Sequence, residues 1–93
     1  MKLPSAKQQR AISLATTMAE EAKVTNTLVY VERVCLSQGL KGAILEIGAR
    51  LAYKKAMEYK DNCEELHKLY EERAVLFALT KEEMELEGLI RAY

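Results

Sequence analysis

Apolar residues along this chain recur at steps of three and four. The first series is Ala11, Leu14, Ala15, Met18 and Ala22, a spacing that lines one face of an α-helix instead of alternating sides of a strand. Pro4 stands just ahead of it, where the first helical turn tolerates proline, so the pattern predicts a helix over about residues 5–23. Residues 24–31 are rich in β-branched side chains, but a lone strand has no partner elsewhere in the pattern. With Thr25 or Asn26 as its cap, a second helix is expected over about 26–38.

Gly39 and Gly42 bracket Leu40-Lys41 and read as a helix end followed by a short connection. A third helix follows over about 42–60, with Ile44, Ile47 and Leu51 on one side and Leu45, Ala49 and Ala52 on the other, and it is expected to be the most buried. Gly48, Ala52 and Ala56 form a ladder of small side chains one helical turn apart, which lets another helix approach closely. Asp61 with Glu64 has capping-box spacing, and Cys63, Leu66, Tyr70, Ala74 and Phe77 supply the buried stripe of a fourth helix. Thr80 followed by Glu83 repeats the capping signal and predicts a terminal helix over about 81–92 carrying Met84, Leu86, Leu89, Ile90 and Tyr93. That apolar group has three destinations: the chain's own core, a second copy, or a target. The reading favours a dimer, with these five residues as the interaction surface.

Composition adds boundaries to this picture. Ninety-three residues with 49% hydrophobic and 30% charged side chains are enough for one core and too apolar for disorder. No apolar run approaches the roughly 18 residues of a membrane span. The opening Met1-Lys2-Leu3-Pro4-Ser5 lacks the apolar stretch of a secretory signal, so a cytoplasmic location and no membrane are expected. Cys35 and Cys63 stand far apart with no CxxC pattern, which points to packed reduced thiols. Net charge is zero but uneven. Residues 1–60 carry ten Lys/Arg against five Asp/Glu, and residues 61–93 carry four against nine. A +5 half and a −5 half can meet across a symmetry mate, and this supports a homo-oligomer.

Three constellations carry candidate chemistry. Glu64-Glu65-Leu66-His67 places Glu and His three apart and resembles the Glu-x-x-His element of ferritin-like di-iron bundles; a complete site would need a second copy and a further Glu such as Glu32. Ala19 to Val29 resembles the turn region of helix-turn-helix repressors, with Ala19, Val24 and Val29 at apolar positions. It departs from that pattern at Lys23, where glycine is frequent, and at Glu32, where a buried apolar residue is expected. Base readers in the second helix are limited to Asn26, Thr27, Tyr30 and Arg33. The third is the basic run Arg50, Lys54 and Lys55, with Tyr53 and Tyr59 interleaved, which has the residue types of an anion or nucleic-acid contact. The same cations also complement the dipole at a helix C-terminus.

The chain has no Gly-x-Ser-x-Gly, no phosphate-cradling glycine loop and a single histidine, so no catalytic residue, metal site or cofactor is assigned. The pattern as a whole predicts an all-α, oligomeric bundle of four to five helices. It would work as a small protein-binding regulator, an inhibitor or adaptor of the plain kind that viruses and mobile elements encode. A helix-turn-helix DNA-binding regulator is the second reading, and a helical oligomer holding a metal or small anion between subunits is the third.

Overall fold

The computed structural model describes residues 3–22 and 27–90, with the side chains of 27–40 outside the description. Three helices make up the described chain: α1 (Ala6–Ala22), α2 (Thr27–Tyr59) and α3 (Glu64–Leu86). The expected second and third helices are one, and so are the expected fourth helix and the first half of the expected terminal one.

Each start and stop has a local cause. At the head of α1, Ser5 Oγ accepts from the Gln8 amide at 3.2 Å while Gln8 Oε1 accepts from the Ser5 amide at 2.9 Å, a reciprocal capping box. Gly39 and Gly42 do not end α2, because glycine inside a helix costs only about 1 kcal/mol relative to alanine, less than packing can return. The break after α2 falls at Lys60-Asp61-Asn62, where Asn62 Nδ2 donates to the Glu58 carbonyl at 3.1 Å. Cys63, not Asp61, takes the N-cap position of α3 and offers no side-chain cap; Glu64 and Glu65 in the first turn complement the helix dipole instead.

Thr80 does not start a helix. It lies inside α3, buried, and its Oγ1 donates to the Leu76 carbonyl at 2.6 Å, so a hydroxyl that can cap a helix here bonds back into the preceding turn. The real stop is Gly88, at φ +74. The Gly88 amide donates to the Glu85 carbonyl at 3.1 Å and the Leu89 amide to the Met84 carbonyl at 2.9 Å, which is the Schellman arrangement that only a residue at ease with positive φ closes cheaply.

α2 is the central helix and packs on both others, with α1 and α3 touching each other less. Ala11, Ile12, Ala15 and Met18 of α1 meet Leu45 and Ala52 of α2 and Phe77 and Met84 of α3 in one core, which Ile90 closes from beyond the turn. Burial around α2 is broad. Ala43 and Ile47 are buried as well as Leu45 and Ala52, and at 100° per residue the two pairs lie on nearly opposite sides of the helix. The ladder of small residues is an intrachain contact: Gly48, Ala52 and Ala56 are all buried. A methyl group at Gly48 would stand 2.6 Å from Ala15 Cβ and 3.1 Å from Phe77 Cδ2, so all three helices converge where a side chain has no room.

Candidate interaction surface

α2 and α3 run antiparallel, and contacts at three levels set their register. Glu46 pairs with Lys81 at 3.8 Å, Tyr59 stacks on Tyr70 with ring centroids 5.9 Å apart, and His67 Nδ1 donates to the Ala56 carbonyl at 2.7 Å. A carbonyl only accepts, so Nδ1 carries a proton in this contact. This bond satisfies one of the carbonyls that the last turn of α2 leaves without a helical partner.

Between the two helices, on a side that α1 does not line, lies an open groove of about 400 Å³. Ala49, Ala74 and Ala78 form its floor, and Arg50, Tyr53 and Val75 its walls. Tyr53 is 61% exposed and Val75 52% exposed, and Met57 and Leu79 are large apolar residues also open to solvent. Toward the C-terminal end of α3 the groove passes into a more polar depression, where Lys81 bridges Glu46 and Glu85 (3.9 Å). Half-buried ion pairs of this kind fix orientation more than they add stability.

The five residues expected to form a terminal interaction surface separate. Met84 and Ile90 are buried in the chain's own core and Leu89 packs partly against it. Leu86 points outward, 90% exposed, and Tyr93 lies outside the described residues. The apolar residues of this segment are therefore largely taken up by their own bundle.

The basic run separates too. Arg50 is exposed and pairs with Glu46 one turn earlier at 3.2 Å, and Lys54 is exposed one turn further on. Lys55 instead turns to α3, its Nζ 5.4 Å from the Tyr70 ring centre, and Arg73 reaches the same ring at 5.4 Å. Two cations on one tyrosine, beside the Tyr59 stack, fasten the closed end of the hairpin. The Glu-x-x-His pair is not brought together: Glu64 bonds Lys68 at 3.3 Å, while His67 Nε2 lies 3.2 Å from Glu71. Among the described residues no three His, Cys, Asp or Glu side chains converge in a way that would hold a metal ion. The turn of the helix-turn-helix resemblance, residues 23–26, lies outside the description, as do the side chains of Thr27, Tyr30, Glu32 and Arg33.

Sequence reasoning missed two features. One is Gln8, buried in α1, whose Nε2 donates to Glu83 and, at 3.0 Å, to Glu87, tying the head of α1 to the tail of α3. Ser5 followed three residues later by Gln8 was the available signal. The other is the groove itself, which no linear motif marks. No protein-family model, curated protein or solved structure matches this chain. No described helix is long and apolar enough to cross a membrane.

Proposed function

We propose that this chain is a protein-interaction module, an inhibitor or adaptor that acts by contact through the α2/α3 face. The observation that carries the reading is the groove: an alanine floor walled by Tyr53 and Val75 is the shape that receives the apolar side of a helix or a single large side chain. Apolar surface gathered in one place marks a binding surface more often than the same residues scattered singly. A cytoplasmic setting belongs to the same reading, and the free thiol of Cys63 is in keeping with it.

The test is Ala78→Glu. Ala78 is exposed in the chain itself, so a carboxylate there leaves the core intact while charging the groove floor. Affinity capture with mass spectrometry, run on native and variant protein, should lose its specific partner in the variant, with an unchanged melting curve. An identical set of captured proteins would overturn the reading.

A further inference from the structure

We propose that the occupant of the α2/α3 groove is the same groove of a second copy, related by a two-fold axis running along the helices. This rests on the reading of the groove as a docking face and names what docks there.

Size complementarity is the first argument. The contacts Glu46–Lys81 and Ala56–His67 bracket the hairpin, and between them Tyr53 stands level with Ala74. The groove thus presents an exposed aromatic ring on its α2 wall and small side chains on α3, Ala74 across from it and Ala78 one turn along. A two-fold axis parallel to the helices carries α2 of each copy over α3 of the other at the same level. Tyr53 of one copy then enters the alanine hollow of the other, and the reverse contact forms at the same time, as an isologous interface requires.

Charge selects between the possible axes. The α2 wall carries Arg50, paired with Glu46 one turn earlier, and the exposed Lys54 one turn further on, and the side of α3 that continues Val75 and Ala78 carries the exposed carboxylates Glu71 and Glu82. The axis along the helices lays the basic rim on the acidic one. An axis across the helices would lay α2 on α2, with basic rim against basic rim and Tyr53 against Tyr53. The favoured arrangement makes a four-helix bundle in which every neighbour is antiparallel, and α1 remains outside it on each copy.

Sedimentation velocity on the full chain over a wide concentration range tests this, with circular dichroism melts confirming that each variant folds. The native protein should be a dimer. Tyr53→Ala should raise the dissociation constant about tenfold or more, as loss of a central aromatic does. Arg50→Glu and Glu82→Arg should each weaken the dimer at low salt, and the two together in one chain should restore it, because each rim then meets its opposite again. A protein that stays monomeric at high concentration overturns the proposal, as does a dimer indifferent to Tyr53→Ala and to the charge exchange. The two readings fail separately: a monomer whose captured partner is still lost in Ala78→Glu removes the second copy and keeps the docking groove, whereas a monomer that captures the same proteins with and without Ala78→Glu removes both.

Discussion

Gly48 is the residue on which the packing turns. Replacing a helical glycine by alanine ordinarily gains about 1 kcal/mol from helix propensity. Here the new methyl would stand 2.6 Å from Ala15 Cβ, which cannot rotate away, and overpacking of that kind costs roughly 1–3 kcal/mol. Overpacking wins, so Gly48→Ala should lower the melting temperature by several degrees. Gly88→Ala meets no atoms within 4 Å and is penalised only for its φ of +74, so it should cost about 1 kcal/mol through backbone strain alone. Gln8 gives a different contrast. Gln8→Leu removes hydrogen bonds but leaves Glu83 and Glu87 exposed to water, for a loss of about 1–2 kcal/mol. Gln8→Glu sets a third carboxylate against those two and should be worse, with the excess shrinking as salt is added. Chemical denaturation at low and high ionic strength measures both.

At the scale of the element, α3 shows how one residue type serves two roles. A threonine capping a helix is worth about 1 kcal/mol, whereas Thr80 sits mid-helix with its hydroxyl on the Leu76 carbonyl. Thr80→Val keeps the buried volume and removes a bond the helix does not need. It should therefore be near neutral, because the Leu76 carbonyl keeps the Thr80 amide as its helical partner, and a loss near that of a cap would contradict the continuous helix. Truncation after Leu79 is a second test of the same element. It removes Met84, fully buried, and Ile90 from the core, so the cooperative thermal transition should disappear. A truncated form that still melted sharply would show this segment to be dispensable to the core. Capping-box spacing stands at both Ser5 and Thr80, but Pro4 keeps a helix from running through Ser5, whereas Thr80 follows a stretch without breakers. Thr80 is buried inside α3, and its hydroxyl bonds the Leu76 carbonyl of its own helix instead of capping a new one.

At the scale of the whole molecule, helices of 17, 33 and 23 residues make up most of the chain. Far-ultraviolet circular dichroism should report helix well above the one-third usual in globular domains, and a spectrum dominated by β-structure would overturn the fold. The all-helical class and the α1 stripe from Ala11 to Met18 follow from the amino-acid order alone, whereas Ala22 is exposed and, of the stripe expected from Cys63 to Phe77, only Phe77 is fully buried. Steps of three and four place Ala11, Ala15 and Met18 on one face whatever surrounds them, as scarce breakers favour long helices. Helix number, the destination of Met84 and Ile90, and the groove were decided only on folding. A glycine at 39 or 42 stops a helix or is carried through it according to the packing around it, a sum over residues distant in sequence. The groove is likewise a relation between helices: Ala49 and Ala74 become its floor because α2 and α3 meet in the register that Glu46–Lys81 and Ala56–His67 hold, with α1 packed elsewhere.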